Sequence, residues 1–494
     1  MGARLGQGKI LQRALPTHQN TDMKTAVVWF RNDLRIADNE ALYRACEKFD
    51  RVLPVYCIDE DRLHAPWFDI PKTGARRMQF ILESLADLHE SLAAAGGGLL
   101  VLRGAPEKVL PELCGRFGAS AVYVHKEVAR EERDDEDAVE KALSGRAEVK
   151  FFWGATLTHI NDLPFAYSDL PDVFTAFRKR SEKESEVRGL FPAPKAVRLP
   201  DGVPDIGKLP SLGDLGFTPA PIDDRAAIAF KGGEREAWKR LHHYFGKTRK
   251  LAEYKHTRNA LLGLDYSSKF SAWLAQGCIS PRSIYYEVKQ FEKEVKKNQS
   301  TYWLVFELRW RDYFRFVTAK YGDKLFYPGG IRDERPRVWH DDARIEAWKA
   351  GKTGIPFVDA NMIELRETGF MSNRGRQNVA SFLVKDLEQD WRIGAAWFEH
   401  HLIDYDVASN WGNWAYVAGV GNDPREDRYF NMLTQAERYD GKGAYVRHWL
   451  PELANVDAWH VHTPWKLSKD EKALYGLSNG PYDRPVCVPK QWKQ

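Results

Sequence analysis

The chain has 494 residues, and its 73 basic side chains are nearly cancelled by 69 acidic ones, leaving a formal charge of +4. That length exceeds one ordinary core, so two domains are expected, and a near-neutral chain can meet nucleic acid only through a local patch. Five scattered cysteines with no CxxC exclude a zinc or disulfide framework, and the absence of any run of 18 apolar residues excludes a membrane-spanning helix.

The opening stretch MGARLGQGKILQRALPTHQNT has three basic residues, no acidic ones, no apolar core and no small-residue cleavage site. It is not a secretory signal. Residues 1–22 read as a disordered leader, with an organelle transit peptide as the alternative. From Thr25 the chain alternates short β-branched runs, TAVVWF, RVLPVYCID, LLVLRG and AVYVHKEV, with amphipathic stretches such as RRMQFILESLADLHESLAAAGGG. This alternation predicts an α/β Rossmann-like domain with a parallel sheet over residues 24–160. The usual dinucleotide fingerprint is missing, since WFRNDLRIADN follows the first strand where GxGxxG is required.

Residues 161–233 read as an interdomain linker. Its stretch from 191 to 225 is rich in Pro, Gly and Asp and has little periodicity. From 234 to 494 the pattern turns helical, in EREAWKRLHHYF, YWLVFELRWRDYFRFVTAKY and RQNVASFLVKDLEQDWRIGAAWFEHHLI. Most of the 17 tryptophans fall in this all-α domain.

Several motifs compete with plain structural readings. Two GKT triplets lack the upstream glycine of a phosphate loop, with Leu241 and Glu346 in its place, and the pairs His242–His243 and His400–His401 lack a third ligand, so no metal site is expected. In LDYSSKFSAWLAQGCISP, Ser267, Ser268 and Ser271 with Lys269 precede an apolar helix and form either an anion cradle or simple N-caps. In YWLVFELRWRDYFRF, helical spacing puts Glu307, Trp310 and Arg311 on neighbouring faces, where an ion pair along the helix is the simplest reading. Arg374 and Arg376 precede the apolar run NVASFLV and need anionic partners, for which Asp404 and Asp406 in IDYDVASNWGNWAY are suited.

Taken in order, YSSKFS, WLVFELRWRD, NRGRQ, DYDVASN, NWGNWAYVAGVGNDPREDRYFN and YVRHWLPEL resemble the photolyase/cryptochrome family over nearly all of residues 24–465, and most of all its cryptochrome-DASH branch. The resemblance implies an N-terminal α/β domain, a long connection and a helical domain holding FAD in a folded conformation. By similarity, Tyr254, Ser267, Ser268, Lys269, Phe270 and Ser271 grip the phosphates and ribityl chain. Arg311, Asn373, Arg376, Asp404 and Asp406 then surround the ring system, with Arg376 paired to Asp404. Asn410 stands at flavin N5, where an amide can either donate or accept. Trp391, Trp414 and Trp339 match the family's electron chain, running from the flavin to the surface.

The same resemblance assigns Arg258, Glu307, Trp310, Asn373, Arg374, Gln377 and Tyr416 to a DNA-lesion pocket, with Arg258, Lys255 and Arg374 supplying a basic rim. Tyr416 replaces a tryptophan and Gln377 a methionine of duplex-repairing relatives, which implies a wider, more polar pocket and a preference for single-stranded DNA. Glu127, in VYVHKEVAREERD, matches the glutamate that holds a pterin, so 5,10-methenyltetrahydrofolate (MTHF) is the expected antenna.

The leading expectation is therefore a monomeric, cytoplasmic enzyme, bacterial and associated with DNA, that uses blue light and FAD to split cyclobutane pyrimidine dimers in single-stranded or looped DNA. A photoreceptor that binds DNA or a protein partner with little turnover is the competing reading. Repair of (6-4) photoproducts is disfavoured because no histidine pair lies near Gln377 or Tyr416.

Overall fold

A computed structural model describes residues 23–334, 336, 338–425, 428–488 and 492. The expected leader, residues 1–22, lies outside the described residues. The run TAVVWF forms β1 (Thr25–Phe30), every residue of which is buried, as a central parallel strand covered on both faces requires. Around it stand β2 (Arg51–Ile58), β5 (Leu100–Arg103), β6 (Ala119–His125) and β7 (Glu148–Phe152), while β3 (Pro66–Trp67) and β4 (Ile70–Pro71) form a separate small hairpin. The strand order β5-β2-β1-β6-β7 is wholly parallel. Its direction of winding reverses between β1 and β6, and ligands of open α/β sheets bind beyond the carboxyl ends of strands at such a reversal. Asn32 and Glu127 lie just past those two ends.

The 161–233 segment is more than a connection. It contains the helix Phe174–Glu184, whose Phe174 and Phe177 are buried against Tyr313, Phe316 and Trp310 of the helical part. The amphipathic spacing FTAFRKRSEKE went unread because the surrounding Pro and Asp residues mask it. Beyond Glu234 the chain is helical apart from loops, and none of the described helices is long and apolar enough to cross a membrane.

The helix Gln299–Tyr321 is the axis of this part. It begins with a capping box in which Asn298 and Thr301 satisfy each other's backbone N–H groups, a device that stabilises a helix start by about 1 kcal/mol. The helix Val407–Ala418 packs closely on it because Gly412 has no side chain; a Cβ there would fall 2.4 Å from Phe314.

The two domains are joined by buried charge. Asp38, just after the first strand's loop, accepts from Arg282 Nη2 at 2.6 Å, Arg282 Nε at 3.1 Å and Ser280 Oγ at 2.6 Å. Asp312 on the axial helix accepts the backbone N–H groups of Leu157 and Thr158, each at 2.8 Å. Removing one partner of a buried pair leaves the other charge without compensation. Arg282→Ala should accordingly lower stability by about 3–5 kcal/mol; urea denaturation of the purified apoprotein reads this out, and an unchanged midpoint would remove the Asp38 pair from the account of the domain interface.

Candidate functional site

A cavity of about 490 Å³ opens in the helical part. Its walls come from the segment 267–275, the axial helix, the helix Asn373–Ser381, the loop 402–406 and the helix Val407–Ala418. The structure brings together here Tyr254, Arg258, Ser267, Ser268, Lys269, Phe270, Ser271, Glu307, Trp310, Arg311, Asn373, Arg374, Arg376, Gln377, Asp404, Asp406, Asn410, Trp414 and Tyr416. Of the residues singled out from the sequence by the resemblance, Glu127, Lys255, Trp391 and Trp339 lie outside its lining.

The serine-rich segment is not a set of helix caps. Its helix is only Ser271–Ala275, and the residue before it, Phe270, has no side chain able to cap. What fixes the loop is Arg240, which the sequence reading missed: its guanidinium donates to the carbonyls of Ser268 at 3.0 Å, Ser267 at 3.0 Å and Leu264 at 3.3 Å, and pairs with Asp265 at 2.7 Å. With carbonyls so occupied and Lys269 at a positive φ of 55°, the loop is held against the cavity in one conformation.

The two arginines at the start of the helix Asn373–Ser381 part company. Arg376 Nη2 donates to both oxygens of Asp404, at 3.0 and 2.8 Å. Arg374, in contrast to the expectation that a carboxylate meets it, donates to Asn259 Oδ1 at 3.2 Å. Asp406 goes instead to the axial helix, with Arg311 and Arg315 each 3.5 Å away, and its other oxygen accepts the Ser409 N–H at 2.8 Å as an N-cap. Burial alone would raise the Asp406 carboxyl, but the two guanidiniums and Ser409 hold it below the usual range, so it faces the cavity ionised.

The expected ion pair along the axial helix is also absent: Arg311 turns to Asp406, and Glu307 pairs with Arg258 at 2.8 Å. Lost hydration pushes the Glu307 carboxyl upward more than Arg258 draws it down. Beside it, Trp310 stacks on Phe174 with centroids 3.7 Å apart and meets Tyr416 at 90° across 5.9 Å. Arg428, another residue without a sequence signal of its own, lies 4.9 Å over the Tyr416 ring and donates to its hydroxyl at 3.3 Å. Arg374 is lowered by burial and by the neighbouring charges of Arg258, Arg438 and Arg428, a concentration of cations suited to phosphate.

Asn410 donates from Nδ2 to the Ala395 carbonyl at 3.0 Å. That bond fixes the amide and leaves its oxygen as an acceptor. Trp414 stands at the cavity wall, packed on Gly394, where a Cβ would come within 2.2 Å of its ring. Trp391 lies one helical turn before Gly394 on the same face, and Trp339 is 68% exposed. Of these three tryptophans, Trp414 lines the cavity, Trp391 is buried outside the lining and Trp339 is at the surface, so Trp414 rather than Trp391 stands first. The residues fit a large polar-edged ligand: Gln377 Oε1 and Arg374 Nε at the cavity are buried without a hydrogen-bond partner among the described residues.

Glu127 is not an exposed helical glutamate. It follows β6, is buried, and ion-pairs with Arg315, whose other arm reaches Asp406. Among the described residues, its second oxygen has only a long 3.4 Å contact from Asn32 Nδ2.

Lys269 gives the site a pH signature. Burial, with Arg240 and Arg376 nearby, lowers it to about 7 against the opposing pull of Glu364. A phosphate ligand requires its charged form, so binding takes up a proton above that value. The affinity of the apoprotein for FAD should weaken as pH rises through 7, by up to about tenfold per unit. Titration by flavin fluorescence checks this, and Lys269→Met should flatten the profile.

Two family models match the chain: the FAD binding domain of DNA photolyase over residues 303–494 and DNA photolyase over residues 26–197. A cryptochrome DASH of Gloeobacter violaceus is 52% identical over 94% of this chain and 93% of its own length. The crystal structure of a Synechocystis cryptochrome superposes with a TM-score of 0.92 at 47% identity, covering 97% of this chain and 98% of that one. A bacterial class III photolyase from Agrobacterium tumefaciens superposes with a TM-score of 0.82 at 30% identity, covering 96% of each chain. With a wholly parallel sheet ahead of a helical flavin cavity, and relatives of this closeness along almost its full length, the chain belongs to the photolyase/cryptochrome family, on its cryptochrome-DASH branch.

Proposed function

We propose that this flavoprotein is a light-driven lyase that splits cyclobutane pyrimidine dimers, chiefly in single-stranded or looped DNA, acting as a monomer. The observation that carries the reading is the mouth of the flavin cavity, where the Glu307 carboxylate, the Trp310–Tyr416 corner and a group of arginines converge. When bound, reduced FAD excited by blue light supplies the electron that opens the dimer. The protein's own part is to hold the lesion and the cofactor. Lys269 and the serines anchor the phosphates, Asp406 and the Arg376–Asp404 pair accept and donate at the ring edge, and the Asn410 oxygen accepts at N5.

The lesion has to leave the base stack to reach this cavity, and photolyases are a standing example of such base flipping. Glu307 then accepts from the base edge, Asn373 and Gln377 offer amides, and Trp310 provides the stacking wall. Phe174 already covers one face of Trp310, and Tyr416 stands at right angles to it, so a flat dimer stacks on one ring rather than between two. With base stacking worth about 1–3 kcal/mol, the missing wall leaves too little to offset unpairing of a duplex. A strand that is already unpaired does not carry that cost. Arg258, Arg374 and Lys255 contact its phosphates.

Two further roles complete the proposal. Trp414, Trp391 and Trp339 pass electrons inward to the flavin, since they run from the cavity wall through the core to an exposed end. MTHF, as a light-gathering pterin, binds beyond the carboxyl ends of β1 and β6, where the weakly satisfied oxygen of Glu127 has acceptor capacity for its ring N–H groups.

The test is irradiation of the reduced protein with a single-stranded oligonucleotide containing one thymine dimer. Intact thymines should reappear, faster than from the same dimer in duplex. Recovery no greater than a dark control would overturn the lyase reading in favour of a blue-light photoreceptor. Glu307→Ala should retain FAD and lose the charged hydrogen bond, worth about 1.5–3 kcal/mol, which corresponds to roughly a 10- to 150-fold loss of repair.

A further inference from the structure

Trp411 and Tyr405 stand outside the series Trp414, Trp391 and Trp339. The structure places them on a side branch of the tryptophan series. The Trp411 ring is buried, with its centroid 5.8 Å from that of Trp391 and the planes at 77°, close enough for an electron to pass between them. Its Nε1–H donates to the Tyr405 hydroxyl at 3.3 Å. The Tyr405 hydroxyl neighbours the Glu399 carboxylate, and its ring forms part of the flavin cavity wall. Arg77 of the N-terminal domain covers that ring, its guanidinium carbon 4.7 Å from the centroid.

We propose that Tyr405 is a redox-active side chain of this protein, the resting place of the electron deficit that light drives onto the buried tryptophans, with Glu399 as its proton acceptor. The inference rests on the reading of Trp414 and Trp391 as an electron relay. The oxidant is the light-excited oxidised flavin. Trp414 loses one electron to it, Trp391 refills Trp414, and Trp411 refills Trp391, leaving Trp411 one electron short. Tyr405 then gives one electron to Trp411, which returns to its neutral form with its N–H intact. The phenolic O–H bond of Tyr405 breaks, and the proton forms a new O–H bond on the Glu399 carboxylate. Tyr405 is left a neutral radical and Glu399 a neutral acid, so charge and atoms balance.

The surroundings explain why proton and electron must move together. A cationic tyrosine would lie against the Arg77 guanidinium, a repulsion removed when the proton leaves. Burial raises the Glu399 carboxyl, against the pull of Arg77 and Lys72, which favours its accepting that proton. Return of the electron to Tyr405 would draw the proton back from Glu399. An alternative resting place is close by: Trp67 of the hairpin lies 4.8 Å from Trp411.

The experiment uses the FAD-loaded holoprotein with its flavin oxidised, a blue-light pulse, and time-resolved absorption together with electron paramagnetic resonance on protein containing ring-deuterated tyrosine. The expected result is a tryptophan radical that gives way to a neutral tyrosyl radical whose spectrum narrows on ring deuteration and whose formation slows in D₂O. Tyr405→Phe should abolish the tyrosyl signal and leave the deficit on tryptophan. Glu399→Gln, which keeps the phenol but removes the base, should suppress the signal as well. The absorbance ratio of flavin to protein establishes that each variant retains FAD. A tyrosyl signal that survives Tyr405→Phe, or tryptophan radicals that decay with no tyrosyl product, would overturn this proposal while leaving the relay intact. So would loss of the deficit's resting place in Trp67→Phe with Tyr405→Phe unchanged. Absence of every aromatic radical would instead defeat the relay and this inference together.

Discussion

The structure depends on one buried alternation of charge, Glu127–Arg315–Asp406–Arg311. Four ionised groups in a low-dielectric seam are costly to desolvate and remain there only because each meets an opposite charge. The two arginines are one turn apart on the axial helix and act as fixed forks. Asp406 does three things from this position: it balances both guanidiniums, caps the helix Val407–Ala418 and presents an ionised carboxylate to the flavin cavity. Glu127 brings the parallel sheet of the other domain into the same network. Any displacement of the sheet against the helices would break a charge pair in the interior, so the site is built on a rigid joint.

Around that network the cavity divides by chemistry. Its deep end is charged and fully engaged, with the loop 264–268 tied by Arg240 and the Arg376–Asp404 pair closed on itself. Its mouth is charged but under-satisfied, with arginines crowded near one another and the Gln377 amide oxygen and Arg374 Nε lacking a partner among the described residues. Satisfied polar groups give rigidity, whereas unsatisfied ones await a ligand. The contrast separates a part that is rigid from a part with binding capacity left over.

The aromatic residues follow the same division. Trp414, Trp391 and Trp411 are buried and in contact with other rings, with glycine at 394 allowing the closest approach. Trp310 has one face committed to Phe174 and a tyrosine at its edge, which limits the ring surface it leaves free. Substituting Tyr for Trp at 416 thus changes more than ring size. The tyrosine hydroxyl accepts from Arg428, and this bond, with the guanidinium lying over the ring, fixes the perpendicular arrangement.

The alternation of β-branched runs and amphipathic helices was enough, by its periodicity alone, to determine an α/β half before a helical half, because strand and helix periods are local properties of the chain. Motif order determined the family, and with it most residues that line the cavity. Local pattern could not decide who pairs with whom: the i, i+4 spacing of Glu307 and Arg311 suggested a pair, yet Arg258 and Asp406, from other segments, claim them. It did not reveal Arg240, Phe174, Arg428 or the Trp411–Tyr405–Glu399 branch, and it put Trp391 ahead of Trp414. Most of those contacts join segments well apart in the chain, 25 residues for Arg240 and Asp265 and 12 for Arg428 and Tyr416, or turn on helix packing angles. Spacing along the chain carries no record of such distances; they exist only once tertiary packing brings the segments together.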